Sequence, residues 1–200
     1  LEFVRKGVTA RQHVEGGRRV REAGISLSEY FMPGLGGVRW SREHAEHTAR
    51  TLNLINPDFI RLRTLHVKAG SDLDGLMQAG DFAPIGDEDI LREIRVFIEH
   101  LEGITSKIVS DHILNLLEEL EGRLPEDKLR LLETIDGFFR LPERDRLIFR
   151  VGRRSGNIRN LSDLSDRDLY LRIGAFVDGY AKKGQDCLER DLGRAMRRYI

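Results

Sequence analysis

The chain reads as an α/β fold, a parallel sheet built from βα units and followed by an all-helical tail, on three observations. In residues 25–37, ISLSEYFMPGLGG, a strand runs straight into a glycine-rich turn that opens a helix. Residues 57–65, PDFIRLRTL, make a second strand of the same kind, with Arg61 and Arg63 on one side because strand side chains repeat every two residues. From residue 114 onward no segment has convincing strand character, and apolar residues keep helical spacing instead. Two such strands with their helices are too few to close a barrel or a doubly wound sheet. The opening LEFVRKGVT has no initiator Met and enters a helix without an introductory strand, which leads us to expect a chain cut from a longer protein.

Taken in order, Thr9 is placed to cap a helix over 9–23 that Gly24 stops. Its apolar positions Ala10, Val14 and Val20 are sparse and Gly16 and Gly17 interrupt it, so packing has to hold it. After the first strand, Ser41 caps a helix to about residue 54 with Ala45, Ala49 and Leu52 on one stripe, and Asn56 with Pro57 ends it. The strand 59–65 leads through a loop containing Gly70 to a short helix around 73–77 and then to the polar connection GDFAPIGDED. A helix over 89–102 follows, its Ile90, Leu91, Ile94, Phe97, Ile98 and Leu101 at helical spacing, and Gly103 ends it before a third strand, 106–112. Helices are expected over 114–120, 126–139, 142–153, 166–181 and 187–198. The stripe Leu129, Leu132, Ile135 and Phe139 predicts a tail that folds back on the βα part or builds a small bundle. A break near Arg123 thus divides residues 1–122 from a helical subdomain, 123–200.

Two hundred residues with 40% hydrophobic content and one third charged suit a folded globular protein rather than a disordered one. Lys plus Arg equals Asp plus Glu at 33 each, so the whole-chain field draws neither nucleic acid nor an anionic membrane. No apolar run approaches the roughly 20 residues of a membrane helix, no signal-peptide shape appears, and the expected compartment is the cytoplasm. The lone Cys187 excludes an internal disulfide and cannot by itself hold zinc or an iron-sulfur cluster. Acids at 186, 189 and 191 disfavour its thiolate, which speaks against a nucleophile.

Sites in a parallel α/β layer sit at the carboxyl ends of strands, where loops converge and helix N-termini present free N–H groups. Gly34, Gly36 and Gly37 there allow close backbone approach to a ligand, or simply make a flexible connection, and they match neither a phosphate loop nor the dinucleotide fingerprint. Arg61 and Arg63 are the more telling pair, because a parallel strand covered on both faces should be almost wholly apolar. Burying them unpaired costs several kcal/mol, so they need either acids, Glu29 and Asp111 being candidates, or a bound carboxylate or phosphate. A polar lumen is the favoured reading, lined also by Ser26, Ser28 and Tyr30. Asp111 and His112 form an acid and base in that site or cap the next helix. His44 and His47 read as solvated rather than as metal ligands, and Arg150, Arg153, Arg154 and Arg159 as a solvated, ion-paired helix face rather than a phosphate site.

The stretch LEFVRKGVTARQHVEGGRRVREAGISLSEYFMPGLGG followed by SREHAEHTARTLNLINPDFIRLRTL resembles the second half of a radical S-adenosylmethionine (radical SAM) iron-sulfur oxidoreductase, of the kind akin to MiaB-type proteins. It covers roughly the first half of the chain. The resemblance implies the C-terminal part of a (β/α)6 partial TIM-like barrel whose earlier, absent half carries the CxxxCxxC loop and its [4Fe-4S] cluster. Residues 31–37 correspond to the GxIxGxxE-like turn after the fifth strand, placing Gly34, Leu35, Gly36 and Gly37 near adenine, and 59–65 to the sixth strand, with Arg61 and Arg63 toward a carboxylate or phosphate. Pro33 and Gly34 replace the usual apolar strand end, and no acid closes the turn.

On that resemblance the parent protein cleaves S-adenosylmethionine to a 5′-deoxyadenosyl radical that abstracts hydrogen from substrate, chemistry that belongs to the cofactor. The chain itself is expected to be the far wall of the cavity with a helical lid or platform, inert alone and retaining no cofactor. Its expected partners are the missing half of the barrel or a second copy at the open sheet edge, and more weakly RNA near residues 150–159. The alternative is a non-catalytic interaction module whose sheet another subunit completes.

Overall fold

The computed structural model describes residues 6–181 and Leu192. Among them are four strands and seven α-helices, in a mixed, open α/β arrangement. The elements are α1 (Ala10–Glu22), β1 (Ser28–Phe31), α2 (Gly37–Ile55), β2 (Phe59–Leu62), α3 (Asp72–Ala79), α4 (Asp87–Glu99), β3 (Lys107–Val109), β4 (Gly122–Arg123), α5 (Lys128–Arg140), α6 (Glu143–Arg154) and α7 (Arg167–Ala181), with a 3₁₀ turn at Leu161–Ser165. The sheet order is β1-β2-β3-β4; the first three strands run parallel and β4 returns antiparallel to β3.

Thr9 caps α1 in a reciprocal capping box with Gln12. Gly17 is the point of closest approach to α2, since a Cβ there would lie 2.7 Å from Ile55. α2 departs from helical dihedrals at Trp40, so its regular part begins at Ser41 as the sequence predicts. Ser41 makes no cap, however, because its hydroxyl donates to the buried Glu93 at 2.6 Å. Asn56, in the left-handed conformation, ends α2, and Asp58 ties the entry of β2 to β1 by accepting from Leu27 N–H at 2.8 Å and from Arg21.

Strand alternation sorts the sheet into two faces. Phe31, Ile60, Leu62 and Ile108 are fully buried under α2 and α4, with the Phe31 ring stacked 3.9 Å from that of Phe97 and 5.3 Å from His44. The registers Ser28↔Phe59↔Lys107 and Tyr30↔Arg61↔Val109 form the other face, which keeps partly exposed side chains.

Of the two outcomes expected for the tail, it packs back on the βα part, and the buried apolar residues form one cluster running from Phe31 to Leu192. Three expectations fail there. The buried face of α5 is Leu131, Ile135 and Phe138 rather than the expected stripe, whose Leu129 is exposed. Residues 114–120 are not a helix: Leu114, Asn115, Leu116 and Leu117 are buried in succession in an irregular segment, which a single helical face cannot do. The two-residue β4 then appears at the break near Arg123, in a part of the chain where no strand was expected. The expected helix over 187–198 and Cys187 lie outside the described residues, Leu192 excepted. Among the described residues no helix is long and apolar enough to cross a membrane.

Candidate functional site

At the carboxyl end of β1 the chain turns through Pro33, Gly34, Leu35 and Gly36 into α2. Gly34 and Gly37 have φ of +93° and +57°, a region that favours glycine. The turn closes on itself: Leu35 N–H donates to Met32 C=O, Gly37 N–H to Gly34 C=O, and Val38 N–H to Ala83 C=O. Added Cβ atoms at Gly36 and Gly37 would meet the Trp40 carbonyl at 2.4 Å and the Ala83 carbonyl at 2.6 Å, so the chain's own backbone makes the close approach there. The N–H groups of Leu35, Gly37 and Val38 are thereby engaged, and the turn presents the partly exposed Leu35 and the exposed Met32 side chain to a ligand.

Beneath the turn sits Glu93, whose side chain is wholly shielded. Its carboxylate accepts from Gly34 N–H at 3.2 Å and from the Ser41 hydroxyl, and lies 2.7 Å from Nδ1 of His44. His44 is therefore a buried carboxylate's partner rather than solvated, while His47 is exposed as expected. Glu93 was not singled out from the sequence. The signal was present, because position 93 stands three after Ile90 and four before Phe97, inside the apolar stripe.

On the open face, Arg61 pairs with Asp111, and Arg63 lies 3.6 Å from the same carboxylate and over the ring of Tyr30, 5.5 Å from its centre. The expected counter-ion Asp111 thus serves both arginines. Glu29 does not, since alternation puts it on the helix-covered side, 3.3 Å from His13. His112 follows Asp111. Burial, with the guanidinium of Arg63 nearby, pushes its imidazole below the usual histidine value, and its Nδ1 is shut from solvent without a hydrogen-bond partner. Asp111 and His112 do not cap a helix, because none follows.

The segment carrying them is fixed from both sides. Asn115, 1% exposed, accepts from the backbone N–H and hydroxyl of Thr64 and donates to Leu62 C=O and Ser110 Oγ. From α6, Arg154 donates to Leu114 C=O at 3.0 Å and Arg153 to Leu116 C=O at 3.2 Å. Arg154 and Arg150 both pair with Asp87 in the first turn of α4, and Arg153 pairs with Glu118. Although burial alone would raise it, the two guanidiniums hold the Asp87 carboxyl below its usual range. The arginine cluster is therefore neither a phosphate site nor a solvated face: Arg150, Arg153 and Arg154 are buried, and only Arg159 of the four is exposed.

Compared with protein-family models, curated proteins and solved structures, the chain matches none.

Proposed function

We propose that the chain is the C-terminal part of a radical SAM enzyme, forming the far wall of its S-adenosylmethionine and substrate cavity together with a helical accessory region. The observation that carries this reading is the one-sided sheet. Parallel strands are ordinarily covered on both faces, yet here Phe31, Ile60, Leu62 and Ile108 are buried under α2 and α4 while Tyr30, Arg61, Arg63 and Asp111 stay partly open. Sequential parallel order with both crossover helices on one side is how a (β/α) barrel is wound, its bare face being the lumen. The turn at Gly34, Leu35, Gly36 and Gly37 and the pair Arg61 and Arg63 then stand at the strand ends where such barrels act.

A chain with one cysteine cannot itself ligate a [4Fe-4S] cluster, so the cluster belongs to the preceding half and the isolated chain is inactive. Bound there, cluster and S-adenosylmethionine supply the radical chemistry. The residues described here shape the opposite wall, Glu93 holding the glycine turn and Asp111 the arginines. The test is to express the chain joined to whatever its gene encodes upstream and to purify it without oxygen. Iron-sulfur absorption and reductant-dependent release of 5′-deoxyadenosine are expected; an upstream sequence lacking a CxxxCxxC triplet overturns the proposal. One observation favours a second reading, a non-catalytic module completed by another subunit or a second copy: among the described residues β1 is an edge strand with only β2 beside it.

A further inference from the structure

Among the described residues, the open face of the sheet carries an imbalance of charge that its own residues do not cancel. Two guanidiniums, Arg61 and Arg63, face the single carboxylate of Asp111. Lys107, on the same face, is engaged by Glu121. The sharing is unequal: Arg61 is hydrogen-bonded to Asp111, whereas Arg63 stands 3.6 Å away, beyond hydrogen-bond reach. Arg63 is one third exposed and rests on the Tyr30 ring, which fixes one side of the guanidinium. Next to it lies His112, with a ring nitrogen lacking any partner.

We propose that this face binds a small monocarboxylate, held by the Arg63 guanidinium beside Asp111 with the Tyr30 ring as a platform. A guanidinium presents paired N–H groups that match the two oxygens of a carboxylate. Charge decides between the candidate anions. One surplus positive charge is neutralised by a monoanion, while a dianion would leave a net negative charge beside the Asp111 carboxylate. The His112 imidazole does not add to the surplus at neutral pH, because burial and the Arg63 and Arg154 guanidiniums disfavour its protonation more than Asp111 favours it. This deepens the reading of the face as a cavity wall and rests on it for the substrate class, a molecule ending in one carboxylate.

The test uses the chain alone and three probes at matched ionic strength, sodium acetate, sodium sulfate and sodium chloride, read by NMR from the side-chain Nε–H signals of the arginines and the ring signals of Tyr30. Acetate is expected to give saturable shifts at Arg63 and Tyr30 with a dissociation constant on the order of millimolar. Sulfate should bind more weakly, and chloride should give only unsaturable drift. Arg63→Gln should weaken acetate at least about tenfold, and Arg63→Lys, which keeps the charge but not the fork, should fall between. Asp111→Asn doubles the surplus charge and should admit sulfate at least about tenfold more tightly than the unaltered chain does. Shifts from acetate no larger than those from chloride would overturn the proposal, as would sulfate binding more tightly than acetate in the unaltered chain. Neither result bears on whether the longer protein holds a cluster, which is read by its own absorption.

Discussion

At the scale of single residues, two polar groups near the strand ends, the buried Glu93 and the half-buried His112, have measurable consequences. Glu93 satisfies Gly34 N–H, the Ser41 hydroxyl and His44 from one shielded carboxylate. Glu93→Ala strands those groups in a cavity, and is expected to cost about 2–4 kcal/mol by denaturant unfolding, more than an exposed acid such as Glu43 would. A loss within about 0.5 kcal/mol would mean that the turn does not depend on the clamp. His112 gives a pH signature. Its folded value lies below the ordinary 6.5, so the unfolded chain binds a proton that the native one resists. Stability from this group is intact above about 6.5, falls as pH drops below it, and levels off once the depressed folded value is passed. The difference between the wild-type and His112→Gln unfolding curves, followed from neutral to acid pH, should show that slope; parallel curves would contradict it.

At the scale of elements, legibility depended on whether a segment's shape was set locally. The capping box at Thr9, the strand-to-glycine turn and the apolar stripe of α4 are local signals, and each produced the element expected. Residues 111–120 are set from outside. Leucines at 114, 116, 117 and 120 imitate a helix in the sequence, but the Asn115 bonds to Thr64, Leu62 and Ser110 and the arginines of α6 fix an irregular path no periodicity encodes. The arginines of α6 misled for the same reason: a basic helix reads as solvated until its partner, Asp87, arrives from 63 residues away. That trio makes a sharp expectation. Asp87→Ala leaves two buried guanidiniums without their shared carboxylate and should destabilise by about 3–5 kcal/mol, whereas replacing Asp87, Arg150 and Arg154 together by Leu, Met and Met should recover most of the loss. Calorimetric or denaturant unfolding of both variants decides it, and a triple variant no better than the single one would refute a purely electrostatic latch.

For the whole molecule, the sheet's asymmetry bears on stability as well as on function. β2 has neighbours on both sides, whereas β1 has only β2, and beyond β1 the sheet simply ends among the described residues. Local opening is easiest where few buried contacts and few shielded hydrogen bonds hold the backbone. The buried side of β1 is anchored by Phe31 against Phe97, so the strand should stay in place while its outward amides exchange with water. Hydrogen exchange of the dilute chain should therefore show amides at 28–31 exchanging at least about tenfold faster than those at 59–62, although both belong to one sheet. Raising the concentration separates the two readings of this edge. If a second copy completes the sheet, protection at 28–31 rises with concentration and light scattering shows a dimer. If the preceding half of a barrel completes it, protection rises only in the longer protein, where a strand alongside β1 supplies the missing hydrogen bonds. Protection at 28–31 equal to that at 59–62 in a dilute monomer would mean that nothing is missing from this edge, and the half-barrel reading would lose its structural basis.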